Sequence, residues 1–164
     1  MGEVLAGVCL ALAAAATEGS TAPPPVFVPG RAFTLAWTHS IEKTRWEEDY
    51  ALGDQAFSAY PVQGAADSGL RLVAVAARVR GSGAGMEPPQ GAVRRDGWYH
   101  YRPATPPLQE LMLTRSVYTA DYQWCQRGAC RPMADLLPSD GGVTRLWPCR
   151  DSRSPVPAPI RPAG

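Results

Sequence analysis

Phe33-Thr34-Leu35-Ala36-Trp37-Thr38 and Trp46-Glu47-Glu48-Asp49-Tyr50-Ala51-Leu52 decide how this chain folds. In the first stretch, large apolar side chains alternate with Thr and Ala. In the second, Trp46, Glu48, Tyr50 and Leu52 alternate with Glu47, Asp49 and Ala51. Period two sends successive side chains to opposite faces of an extended chain, so both stretches read as half-buried strands. The loop from Ser40 to Arg45 is short enough to join them as a hairpin. Outward from there, Leu70 to Arg80 is rich in Ala, but Val73, Val75 and Val79 keep period two and favour a strand. Gln55 to Tyr60 is a short candidate cut by Pro61. Arg94-Arg95-Asp96-Gly97 reads as a turn leading into Trp98-Tyr99-His100-Tyr101. Leu108 to Arg115, Tyr122 with Trp124, and Val143 to Trp147 complete the set.

Turn signals recur about every ten residues, and no amphipathic helix separates the strands, which argues against a βαβ architecture. Gly (16) and Pro (17) together make a fifth of the 164 residues, which opposes long helices. The expectation is an all-β fold: a single antiparallel β-sandwich or barrel of about seven or eight short strands. Its limits are placed at residues 32–137, with 138–164 as a loop and a disordered, Pro-rich C-terminal tail.

Lys plus Arg is 16 and Asp plus Glu is 15, so the net charge of +1 excludes a globally basic nucleic-acid binder. Trp98, Tyr99 and Tyr101 interleave with His100, a pattern that can stack bases. At this charge balance, packing within a hairpin explains them better. Val4 to Ala16 holds thirteen residues without a charge, and Ala14 and Ala16 offer a small-residue cleavage site. Residues 1–16 therefore read as a signal peptide, with a short buried helix as the alternative, and 17–31 as a Pro-rich leader. Met1-Gly2-Glu3 lacks the positive charge of a signal-peptide n-region. The expected location is periplasmic or otherwise exported, with the N-terminal segment cleaved or kept as a membrane anchor. Cys125 and Cys130 flank a turn at Gly128 and are expected to form a disulfide. With the leader, and Cys9 in it, removed, Cys149 is left either free or as the true partner of one of them. His39 and His100 are the only histidines and no second closely spaced Cys pair exists, so neither metal nor cofactor is expected.

Three places carry candidate chemistry. Gly81-Ser82-Gly83-Ala84-Gly85 could let backbone N–H groups approach an anion. Pro88 and Pro89 oppose the helix that a dinucleotide site needs, so a turn of positive φ is the preferred reading. His39 stands beside Ser40 at a strand end, where adjacent side chains diverge, so His39 does not readily activate Ser40. His39 is expected to meet Glu48 across the hairpin, to pin it, to bind a ligand or to serve a hydrolase-like reaction, in falling order of preference. On a strand, Glu47 and Asp49 share one face and Glu48 takes the other; with Glu42 and Asp54 they form an acidic patch. Residues 71–115 carry seven arginines against three acids. Cross-strand pairing of the two stretches is preferred over an Arg-lined pocket for an oxyanion or carboxylate.

The run from Phe33 to Tyr50 resembles the His-Ser-Val/Ile … Glu-x-Tyr/Phe opening of the bacterial domain-of-unknown-function family 1850. Gly81 to Met86, Asp96 to Tyr101, Leu111 to Ser116 and the Cys125/Cys130 pair also fit that family's layout. The resemblance implies a small exported or membrane-proximal protein, often encoded beside TRAP transporters whose binding protein is of the TAXI type. It supplies no enzymatic activity, and a hydrolase-like enzyme using His39 and Glu48 is one alternative. His39, Ser40, Glu48, Gly81, Ser82, Gly83 and Gly85 then stand as candidate binding positions for the transporter permease, its solute receptor or a small anionic ligand. A purely structural interaction module is the remaining alternative.

Overall fold

The computed structural model describes residues 4–13, 23–54, 68–81 and 88–151. They form two antiparallel sheets that do not close on each other, a sandwich rather than a barrel. The smaller sheet has the order β2 (Val26–Pro29), β1 (Leu5–Leu12), β11 (Val143–Asp151), β8 (Leu111–Thr114). The larger has the order β10 (Ala129–Pro132), β9 (Gln123–Gln126), β3 (Ala32–Thr38), β4 (Arg45–Asp54), β5 (Leu70–Arg80), β7 (Trp98–Tyr101), β6 (Val93–Arg95). One turn of 3-10 helix, Met133–Asp135, follows β10. The strand candidate at 55–60 and the tail at 152–164 lie outside the described residues.

Alternation along the two deciding strands becomes the inner face of the larger sheet. Phe33, Leu35 and Trp37 lie opposite Tyr50, Glu48 and Trp46 across the β3–β4 ladder. Phe33 stacks on Tyr50 at 5.3 Å and on Trp124 at 4.2 Å, so one ring row crosses three neighbouring strands. Val8, Leu10, Leu113 and Leu146 of the smaller sheet close the same core from the other side. Burying a large apolar side chain of this kind stabilises by about 1.5–3 kcal/mol.

Residues 5–12, expected within a signal-peptide h-region or a helix, are built into this core as β1. The strand pairs with β11 from Leu5↔Asp151 to Leu12↔Thr144, and Leu10 is fully buried. A Cβ at Gly7 would collide with the Val28 carbonyl and the Phe27 ring, so glycine lets β2 lie close here. An uncharged run looks alike as an h-region and as a buried strand when its pairing partner is distant in sequence. For the same reason the sheets exceed the expected 32–137 limits: β1 and β2 precede that span, and β11 follows it. Pro148 is accommodated in β11 because β8 pairs only with Val143 to Leu146, leaving one side of Pro148 without a ladder.

Cys9 and Cys149 form a disulfide across β1 and β11, with Cα atoms 5.9 Å apart, so Cys149 has a partner that the sequence reading did not give it. Cys125 and Cys130 form the second disulfide, as expected. Positive φ at Arg127 and Gly128 (53° and 78°) makes the two-residue turn that sets these cysteines opposite each other. Asp96 and Gly97 do the same for the β6–β7 hairpin. In the chain-entropy account, the long Cys9–Cys149 loop stabilises by about 5 kcal/mol and the short loop by about 2 kcal/mol.

Candidate functional site

The β3–β4 turn is fixed by His39. Its backbone N–H donates to the Thr44 carbonyl at 2.8 Å and its carbonyl accepts from the Lys43 N–H at 3.0 Å. Its ring Nδ1 accepts the Glu42 N–H at 3.3 Å, and Lys43 takes a φ of 54° to close the turn. Ser40 is exposed, and Ile41 at the tip is 83% exposed. Glu48 lies opposite Leu35, four residues back from His39. At about 3.3 Å per residue, that is roughly 13 Å along the strand. The structure therefore does not bring His39 to Glu48, because the hairpin register carries Glu48 away from the turn. Gly81 follows β5 at the same end of the sheet as this turn; its φ is 79° and its N–H donates to the Gly97 carbonyl at 3.0 Å. Ser82, Gly83 and Gly85 lie outside the described residues.

The three carboxylates of β4 divide between the faces as alternation predicts. On the outer face, Arg78 of β5 stands directly opposite Glu47 and binds it at 2.6 Å, and binds Asp49 at 2.8 Å. Arg45 holds Glu47 from its other side at 2.7 Å, and the Thr34 hydroxyl donates to Asp49 at 2.6 Å. Burial alone would lower the Arg78 pKa; the hydrogen bonds and charges of Asp49 and Glu47 together outweigh it, and the net shift is upward. A groove of about 490 Å³ runs over this ladder, with Thr34, Arg78, Gln126 and the Cys125–Cys130 hairpin among its walls. The expected cross-strand pairing is what forms here. Arg78 stands in the groove wall with its guanidinium committed to two carboxylates.

Glu48 faces inward. It accepts the Tyr50 O–H at 2.6 Å, and among the described residues no Lys, Arg or His forms an ion pair with it. Tyr101 of β7 reaches the same face, opposite Ala77, which is itself opposite Glu48. Tyr122 approaches from the chain ahead of β9. Burial first, and then the Glu48 charge, raise the phenol pKa of all three tyrosines, most strongly at Tyr50, where the Glu48 hydrogen bond adds to burial. Trp37 lies against both Trp46 (6.0 Å) and Tyr122 (5.9 Å), continuing the ring surface towards the turn. The sequence reading did not assign these rings to a site. Its available signal was a carboxylate on the same face of β4 as Trp46 and Tyr50.

The two disulfides point to a compartment outside the cytoplasm. Among the described residues, no helix is long and apolar enough to cross a membrane. No curated protein and no solved structure matches the chain. A family match runs over residues 33–133, which holds the larger sheet except Ala32, together with β8, and leaves out β1, β2 and β11. Spanning more than half of the sequence, that match makes the chain a member of the family described as Domain of unknown function (DUF1850).

Proposed function

We propose that this domain is exported and works as an accessory component of a TRAP-type solute transport system, docking on the permease or the solute receptor through its β3–β4 turn. The observation that carries the reading is the exposed Ile41, held out by a turn that His39 fixes through ring and backbone. Burying an Ile side chain that is 83% exposed in a recess on a partner stabilises the complex by about 1.5–3 kcal/mol. A preorganised turn also loses little conformational freedom on binding. His39 and Ser40 then build a protrusion rather than a reaction centre, since the His39 ring accepts the Glu42 N–H within its own turn. The transporter part of the reading rests on the resemblance to family 1850.

The test is recovery of transporter subunits with the tagged protein after gentle extraction of its native membrane, followed by mass spectrometry. Wild type is expected to bring down the permease or receptor, and Ile41→Asp, melting at the wild-type temperature, to lose it. His39→Ala is expected to lose most of it by loosening the turn. Wild type recovering no transporter subunit, or Ile41→Asp recovering as much as wild type, would overturn the proposal.

A further inference from the structure

The inner face of the larger sheet runs past its own core. Phe33, Tyr50 and Ala74 lie within the core cluster, and Leu35 with Glu48 and Ala77 forms the next row towards the turn. Beyond that, Trp37, Trp46, Val79 and Tyr99 make a further row. Trp37 and Tyr122 still pack against the core, whereas Trp46, Tyr99 and Tyr101 stand outside it. All five rings are half-buried, as is Glu48. The result is a ring-walled shelf with one carboxylate in its floor. That carboxylate has a neutral donor, the Tyr50 O–H, and among the described residues no cation.

We propose that Glu48, with Trp37, Trp46, Tyr101 and Tyr122 around it, binds a small organic cation of the alkylammonium class. Ring faces carry negative electrostatic potential, so aromatic walls and a carboxylate favour the same sign of ligand and disfavour an anion. An alkylated ammonium also presents methyl or methylene groups that these rings can cover, which a hydrated metal ion does not. The far rim holds a cation of the protein's own: the Arg94 guanidinium sits over the Tyr99 ring at 5.9 Å. The outer face of the same strand shows the contrast, because Arg78 and Arg45 already occupy Glu47 and Asp49. The inference stands independently of docking through Ile41, which is exposed at the turn itself.

The test is titration of the full chain with choline and tetramethylammonium, read by tryptophan fluorescence, since Trp37 and Trp46 lie in the site. The control is 3,3-dimethylbutan-1-ol, which has the shape of choline without its charge. Saturable binding of choline is expected, with the alcohol at least about tenfold weaker. Glu48→Gln keeps the shape and an acceptor for Tyr50, and is expected to lose about tenfold or more in affinity while melting at the wild-type temperature. Tyr101→Leu removes a ring without a charge and is expected to weaken choline by a smaller factor. No saturable response to either cation, equal binding of the alcohol, or undiminished binding by Glu48→Gln would overturn the proposal. Binding of n-butylguanidinium without choline would also overturn it, in favour of an arginine side chain from a partner protein.

Discussion

Strand β4 carries three consecutive carboxylates, and its two faces treat them differently. Outward, Glu47 and Asp49 share Arg78, with Arg45 and Thr34 completing the ladder. Inward, Glu48 has the Tyr50 hydroxyl and a ring of aromatic side chains. Strand alternation alone produces this division, and it separates carboxylates used to hold the sheet from one left with capacity for a cation. A carboxylate whose charge is met inside the protein stabilises the fold through its partner. One that faces rings without a cation contributes less to stability and more to recognition.

The largest effect that this contrast predicts belongs to the pair that Arg115 makes with Asp121. The Arg115 side chain, 1% exposed, binds Asp121 at 2.7 Å and also donates to the Leu137 carbonyl and Thr144. Arg115→Ala should lose about 3–5 kcal/mol in urea unfolding, because it strands a buried acceptor set. A loss comparable to that of an exposed pair would break the rule that pairing on this fold scales with enclosure. Arg78→Met comes next. It leaves Glu47 and Asp49 side by side on a half-exposed face, and about 1–2 kcal/mol should be lost.

Acid titration gives a smaller effect of known sign. Burial alone would raise the Asp121 pKa, but the Arg115 hydrogen bond and charge, with the Tyr122 and Ala134 N–H groups, bring it below the usual carboxylate range. Its contribution is then fully present above the unfolded value of about 3.9 and is lost as pH falls through the lower folded value. Urea midpoints measured on acidification should fall more steeply for wild type than for Asp121→Asn. Equal slopes would remove Asp121 from the account. The smallest effect is reserved for Glu48→Gln, which should change stability by no more than about 0.5 kcal/mol in the same urea assay. A loss as large as that of Arg78→Met would erase the difference between the faces.

Much of this was legible in the chain itself. Alternation in 33–38 and 46–52 gave the central strands and put Glu48 on the opposite face from Glu47 and Asp49. The surplus of arginines after residue 70 anticipated the Arg78 ladder. Asp96-Gly97 and Gly128 marked turns whose positive φ values the structure contains. What stayed hidden depends on contacts between distant parts of the chain. The β1–β11 pairing joins the two ends, and Cys9 meets Cys149 across 140 residues. The rings around Glu48 come from β7 and from the segment before β9, and the order β9-β3-β4-β5-β7 that gathers them is not the order of the sequence. The expected meeting of His39 and Glu48 failed on register, because closeness to one loop in sequence is not closeness along a ladder.

The most direct test of the division between the faces is the choline-induced shift in melting temperature, measured side by side for wild type, Glu48→Gln and Arg78→Met. A ligand at a hundred times its Kd stabilises by about 2.7 kcal/mol, a readily measured shift. Wild type and Arg78→Met should rise by similar amounts from different starting temperatures, and Glu48→Gln should start near wild type and not rise. A shift retained in Glu48→Gln, or absent from all three proteins, would contradict the assignment of Glu48 as the carboxylate held ready for a cation.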